Sequence, residues 1–343
     1  MDVGIVGPPG SGRTTVFRAL LAHRAPKAAG ARASDAGIGT IRIQDPRLEA
    51  LSERFHPRKT TPIEIRVHDL CGSLEPTFPR DEIEAMKRLD LILLVIPGFA
   101  DPAPEAALAA YDALLEELCL EDLAGIDRRL RFADRDGLAP PLRRALERAN
   151  VALEQAQPLV SALDPADREI LRGSSLITDR GMLALLNVAE SRAGAAVPKL
   201  LAERARQRGM PLGTLCAALE AEMAELAPDE RAPFLAEYGV GEPAGARVTQ
   251  MLLEVADVIS FFTVGEDECR AWSLERGATA RRAAGRIHSD LERGFIRAEV
   301  IGYEALAPLS GGLAEAKKRG LLRLEGKDYV VQDGDIVHVR FNV

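Results

Sequence analysis

Cysteine is scarce and scattered. The four present in 343 residues, Cys71, Cys119, Cys216 and Cys269, form no C-x-x-C pair. Neither a zinc ribbon nor a disulfide framework is expected, and a reducing cytoplasm suits the chain. Long apolar runs are missing too. None approaches the ~20 residues that cross a bilayer, so no membrane partner is expected. Positive charge is not in excess: 44 Lys+Arg stand against 52 Asp+Glu, a net charge of −8. That excludes a uniformly basic nucleic-acid coat and leaves only a local basic face. The sequence enters an apolar run at once, so no leader peptide is expected. What is there is ordinary for a globular protein, 47% apolar and 28% charged residues, at a length that suggests two or three domains.

The chain is organised around Gly7-Pro8-Pro9-Gly10-Ser11-Gly12-Arg13-Thr14-Thr15. It follows the apolar Val3-Gly4-Ile5-Val6 and precedes Val16, Phe17, Ala19, Leu20 and Leu21, which predicts a strand, a glycine-rich turn and a helix. Glycines let main-chain N–H groups close around phosphate oxygens, and a helix N-terminus adds partial positive charge. The pattern G-x-x-x-x-G-K-[ST] is met except that Arg13 replaces lysine. Thr14 supplies the hydroxyl that would reach a magnesium ion. A glycine turn that binds nothing is the alternative.

Downstream, Ala25 to Ala36 reads as a loop, and Gly39–Ile43 and Ile63–His68 alternate as half-buried strands. Between them, Asp45-Pro46-Arg47-Leu48 opens a short helix carrying Leu48, Leu51 and Phe55. Asp69-Leu70-Cys71-Gly72 closes the second strand. The Asp69 carboxylate there could hold a magnesium-bound water, and the glycine N–H could sense a γ-phosphate. A simple strand-end turn would look the same. Leu91–Ile96 is continuously apolar, as a central parallel strand is. Together these elements predict an α/β fold with a doubly wound, mostly parallel sheet.

Ala103–Leu118 predicts a helix covering the sheet. Leu142–Leu159 and Asp164–Leu171 predict a helical insertion projecting from it, either an interaction surface or a solvated pair. Met182–Leu186 restores a buried strand that ends in Asn187-Val188-Ala189-Glu190. In nucleotide switches of this layout that position reads the base, and the guanine-specific form is N-K-x-D. Val188 and Glu190 depart from it, and the longer carboxylate no longer suits both guanine N–H groups. Asn after a strand is also a common turn residue. Pro211–Leu215 gives one more strand, with Cys216 and Ala217 where main chain would approach the base.

From Ile259 the pattern changes. Phe261–Val264, Arg270–Leu274, Phe295–Ile301 and Asp335–Phe341 alternate as strands, and Thr279–His288 reads as one crossing helix, which suggests a ubiquitin-like β-grasp. The stretch has 13 basic and 13 acidic residues, so the remainder, 44 − 13 against 52 − 13, carries the whole excess of −8. Arg270-Ala271-Trp272, Gly277-Ala278-Thr279-Ala280, Gly285-Arg286-Ile287-His288-Ser289-Asp290, Gly294-Phe295-Ile296-Arg297 and Glu325-Gly326-Lys327-Asp328-Tyr329 resemble the YchF family of Obg-like ATPases, closely over Phe262–Val343 and more weakly over the rest.

The resemblance implies a P-loop domain over residues 1–118 and 176–258, a helical insertion over 119–175 and a C-terminal TGS domain over 259–343. It implies a cytoplasmic, ribosome-associated nucleotide switch that binds ATP or ADP with Mg2+ in preference to GTP. Nucleotide contacts carry over onto Gly7, Gly10, Ser11, Gly12, Arg13, Thr14, Thr15, Asn187, Val188 and Glu190, with Cys216 and Ala217 adjoining. Magnesium contacts fall to Thr14 and Asp69. RNA or the ribosome is expected at the C-terminal module, through Arg281, Arg282 and Arg286 on one helix and Lys317, Lys318 and Arg319 on another. A monomer is expected. Three departures from the family bear on hydrolysis: Arg13, the poor match near Ala33 or Ser34 to the first-switch threonine, and a second switch shortened to Ser73–Pro79. No catalytic base is identifiable, and Ser73 is too short to orient water as glutamine does. At most a slow ATPase or GTPase is expected. A binding module without hydrolysis is the alternative. A nucleoside-phosphate kinase ranks third, because neither an acceptor site nor an arginine-rich lid is found.

Overall fold

The computed structural model describes residues 1–22, 37–43, 45–70, 78–99, 104–133, 135, 137–241 and 243–342. In chain order its strands are β1 (Asp2–Val6), β2 (Ile38–Ile43), β3 (Lys59–Thr61), β4 (Ile63–Asp69), β5 (Leu91–Gly98), β6 (Gly181–Val188), β7 (Leu212–Leu215), β8 (Val258–Thr263), β9 (Glu268–Glu275), β10 (Phe295–Gly302), β11 (Arg323–Glu325) and β12 (Asp335–Phe341). The chain forms two compact units, Met1–Ile41 with Ile65–Val255, and Arg42–Glu64 with Ala256–Val343. The expectations placed near Ala33, Ser34, Cys71, Gly72 and Ser73–Thr77 lie outside the described residues.

The first unit is built on a sheet ordered β2-β4-β1-β5-β6-β7. β1 pairs in parallel with β4 and β5, β5 with β6, and β6 with β7. Val3, Ile5 and Val6 of β1 and Ile92–Ile96 of β5 are fully buried, which explains why their sequence shows no alternation. β1 sits where the strand order reverses. The loop after it therefore opens at the carboxyl edge of the sheet, the crevice that ligands use in such folds.

The helix expected to stop at Leu118 runs from Pro104 to Arg131 without interruption. Its Tyr111, Leu115, Leu118, Cys119 and Ile126 pack in one cluster with Ile92, Leu94 and Ile96 of β5 and with Ala145, Leu146, Ala149 and Leu153 of the next helix, Pro140–Glu154. The helical stretch therefore shares an apolar core with the sheet. Nothing between Leu118 and Arg131 stops a helix: there is no proline, and apolar residues keep returning on one face. Asp122 in the same helix is 2% exposed and accepts from Ile177 N–H (2.9 Å), Thr178 N–H (2.7 Å) and Thr178 Oγ1 (2.7 Å). That bond set fixes the entry into β6.

The second unit is a sheet ordered β11-β10-β12-β8-β9-β3, with the helix Ala280–Ile287 laying Ala280, Ala283 and Ala284 against it. β8 and β9 form an antiparallel pair, β12 runs antiparallel to β10, and β12 meets β8 in parallel. Residues 42–64, placed with the loop domain by the sequence, belong here instead. β3 pairs in parallel with β9, and Arg47 donates to both Asp45 carboxylate oxygens and to Asp333 Oδ2 at 2.7 Å, its Cζ 5.2 Å from the Phe262 ring centroid. Alternation in Ile63–His68 marks a half-buried strand but does not say which core receives it.

Candidate nucleotide-binding site

The loop between β1 and the helix Arg13–Ala22 turns through two left-handed glycines, Gly10 (φ 76) and Gly12 (φ 86). Other residues are strained in that region. At Gly12 a side chain is also sterically barred, because a Cβ would stand 2.3 Å from Asn187 Nδ2. Ser11 N–H donates to Pro8 O at 3.0 Å and closes the turn, and Val16 N–H donates to Gly12 O at 2.9 Å as the helix begins. Gly7 is buried and Gly10 is exposed on the rim. Thr14 and Thr15 are exposed in the first helical turn.

Asn187, at the end of β6, is 4% exposed and is used at both ends. Its Nδ2 donates to Ser11 O at 3.0 Å, and its Oδ1 accepts from Ala217 N–H at 3.1 Å. One amide thus ties the glycine loop to the start of the helix Ala217–Glu225. Cys216 caps that helix, and its thiol is pushed up by burial, with the Glu190 charge adding to the effect. Glu190 itself is exposed. Val188 is 4% exposed and packs in the apolar cluster of the sheet, so it presents nothing to a ligand. Of the expected base-reading residues, the structure gathers Asn187, Cys216 and Ala217 against the loop, leaves Glu190 in solvent near Cys216, and turns Val188 inward.

Arg13 reaches sideways. Its Nη1 donates to Leu70 O at 2.8 Å, one residue beyond the strand that ends in Asp69. Three buried polar atoms in this region have no hydrogen-bond partner among the described residues: Ser11 Oγ, Asp69 Oδ1 and Glu82 Oε2. Glu82 belongs to the helix Arg80–Met86 and is 8% exposed. Burial pushes its carboxyl up, and the Arg13 charge opposes that shift while Asp81 and Asp69 reinforce it. The sequence reading missed Glu82. An acid in a first helical turn reads as ordinary dipole complement, and no spacing rule ties it to the loop.

Orphaned buried polar atoms call for a missing partner. A carboxylate oxygen such as Asp69 Oδ1 suits a hydrated cation. No group of three or more His, Cys, Asp or Glu that could hold a metal exists among the described residues. Magnesium is commonly held by one or two carboxylates plus substrate phosphates, and these residues suit that mode rather than an all-protein cage. No helix among the described residues is long and apolar enough to cross a membrane.

Comparison with known proteins places the chain beside one set of relatives. The family model YchF-GTPase_C, described as a protein of unknown function (DUF933), matches residues 258–342. The chain is 31% identical over 367 residues to the ribosome-binding ATPase YchF of Bacillus subtilis, covering 100% of both chains. It is 33% identical to the protein of that name from Haemophilus ducreyi, covering 99% of both. An Obg-like ATPase 1 from rice is 27% identical, covering 100% of this chain and 92% of that protein. The structure of the YchF GTPase of Schizosaccharomyces pombe superposes with a TM-score of 0.86 at 22% identity, over 99% of this chain and 97% of that one.

Proposed function

The chain belongs to the YchF family, and from that premise we infer that it is a nucleotide-binding protein that takes ATP or ADP with magnesium in the Gly7–Thr15 loop, prefers ATP to GTP, hydrolyses it slowly at most, and acts on the ribosome in the cytoplasm as a monomer. The observation that carries the nucleotide reading is the Asn187 amide, which holds Ser11 O and Ala217 N–H at once and so sets the glycine loop beside the place where a base would lie. Gly10, Gly12 and the N-terminus of the helix Arg13–Ala22 supply N–H groups to phosphate oxygens. Thr14 and Asp69 are the residues that would hold magnesium, which when bound neutralises charge on the phosphates. The preference for ATP rests on Glu190 and on the inward turn of Val188, which together leave the guanine code unmet.

Binding without turnover is the second reading, and Arg13 favours it. Its bond to Leu70 O directs the one loop cation away from the phosphates. Direct competition among labelled ATP, ADP and GTP, with and without magnesium, tests the nucleotide reading, and single-turnover hydrolysis of ATP separates slow turnover from none. ATP or ADP binding more tightly than GTP is expected. Tighter GTP binding would overturn the preference, and no binding at millimolar concentration would overturn the nucleotide reading altogether.

The ribosome reading rests on the names of the relatives and on the basic residues of the second unit. Arg281, Arg282 and Arg286 are exposed on the helix Ala280–Ile287, and Lys317, Lys318 and Arg319 are exposed at the end of the helix Gly312–Lys318. Ribosome co-sedimentation that weakens steeply with salt is expected. Co-sedimentation left intact by alanine at Arg281, Arg282 and Arg286 together would remove that helix from the contact.

A further inference from the structure

A cleft of about 190 Å³ lies within the second unit, where the short strand β3 stops. β3 pairs with β9 only as far as Arg270, and Pro62 follows its last residue. The cleft is lined on one side by Thr61, Ile63 and Glu64 and on the other by Arg270, Trp272 and Arg286. Arg270 lies over the indole, its Cζ 4.0 Å from the ring centroid. The indole is itself fixed: Trp272 Nε1 donates to Thr263 Oγ1 at 3.0 Å, and the ring stacks with Phe261 at 6.3 Å and 16°. Arg286 reaches across from the helix Ala280–Ile287 and donates to Ser273 O (3.1 Å) and Ser273 Oγ (3.2 Å).

The acids near this cleft are already engaged. Glu64 accepts from Arg42 at 3.1 Å, and Glu268 accepts from Thr61 Oγ1 at 2.5 Å and pairs with Lys59 at 3.3 Å. The Arg270 guanidinium has no hydrogen-bond partner among the described residues. It is a planar fork of N–H donors, held in place by stacking and left open. Such a fork matches two oxygens of a phosphate, and stacking removes most of the entropy that binding would otherwise cost. Sites for whole small molecules run to roughly 300–1,000 Å³, so this cleft suits one phosphate group of a larger chain. The neighbouring helix repeats the charge. Arg282 lies one turn from Arg286 on the same face, and Ala280–Ile287 contains no acid. A series of cations without intervening acids matches a polyanion that carries one charge per unit.

We propose that Arg270, stacked on Trp272 and flanked by Arg286, forms a phosphodiester-binding site for single-stranded RNA. The proposal rests on the reading of the second unit as an RNA-contacting surface and names the point of contact. Trp272 is the chain's one tryptophan, so its emission reports this cleft directly. In the full-length protein, a short single-stranded RNA is expected to perturb Trp272 emission and to bind with an affinity that falls with salt. Arg270→Ala is expected to weaken that binding several-fold and to lower the slope of log K against log salt by about one. Arg270→Lys keeps the charge without the stacked fork, and is expected to keep the slope while losing affinity. Binding of labelled ATP, measured on the same samples, serves as the folding control and is expected not to change. Unchanged RNA affinity and slope in Arg270→Ala, with the wild type binding, would overturn the cleft and leave the wider RNA reading intact. No RNA binding by the wild type would overturn both. Full displacement of the RNA by millimolar inorganic phosphate, with Trp272 responding equally to either, would reassign the cleft to the free ion.

Discussion

Arg13 Nη1 donates to the main-chain carbonyl of Leu70 at 2.8 Å. A residue of the phosphate loop is thus bonded to the segment that begins the second switch, directly after Asp69. The contact links the two elements through the one loop position where this chain departs from the P-loop pattern. A carbonyl that accepts from a charged donor is stabilised by roughly 1.5–3 kcal/mol at most, so the bond is strong enough to hold Arg13 aside and weak enough to be displaced by a polyphosphate.

Arg13→Lys is expected to raise ATP hydrolysis several-fold, on the order of 1 kcal/mol of barrier. Lysine is a compact charge on a flexible stem, whereas the broad guanidinium fixes its directions of donation. In-line geometry is most of what such a site contributes to phosphoryl transfer. Single-turnover hydrolysis at saturating nucleotide and magnesium provides the measurement. Equal rates would show that Arg13 is not the limiting group, and a faster parent would make arginine an adapted part of the site.

Asn187→Ala is expected to weaken ATP and GTP binding together. The substitution leaves Ser11 O and Ala217 N–H without their partner in a buried setting, at a cost of about 1–3 kcal/mol for each group left unsatisfied. Both nucleotides use the same loop, so the ratio of their affinities should hold. Isothermal titration with each nucleotide separates the outcomes. A changed ratio with loop stability intact would make Asn187 a base-reading residue rather than a positioning one.

The strand–loop–helix order, the Asp69 and Asn187 strand ends and the β-grasp alternation were all legible in the sequence, because each is a local pattern of side-chain types. What Asn187 does was not. Its partners are main-chain groups 176 and 30 residues away, and a sequence does not show where main chain returns. The inward turn of Val188 was hidden for the same reason, since the strand β6 continues two residues past the apolar run that marks it. Residues 42–64 fall in the second unit, not in the loop domain, because Arg47 finds Asp333 286 residues on and Phe262 far downstream as well. Glu82 left no sequence signal at all.

Asp122→Ala is expected to destabilise the first unit by roughly 2–4 kcal/mol. The substitution removes the acceptor of three bonds and strands the N–H groups of Ile177 and Thr178, which are themselves fully buried. Urea unfolding followed by far-ultraviolet circular dichroism reads this helix-rich unit, while Trp272 emission, confined to the second unit, should report little change. A shift below ~0.5 kcal/mol would show that surrounding groups or water replace the carboxylate.

Asp333 gives the second unit a pH dependence of known sign. Burial works against its ionisation, but the Arg47 guanidinium and the Ser260 N–H outweigh burial and hold the carboxyl below its ordinary value of 3.8. A carboxyl depressed in the folded state binds its proton more readily when unfolded. Its contribution to stability is therefore complete above the ordinary value and is lost as pH falls through the lower, folded value. In the wild type, Trp272 emission should show urea midpoints that decline as pH falls from about 5 toward 2. Asp333→Asn should start lower at neutral pH, because the ion pair with Arg47 is gone, and should decline less steeply over the same window. Parallel declines in the two proteins would place the acid sensitivity of the second unit elsewhere, with Glu268 the next candidate, since its bond from Thr61 also holds it low.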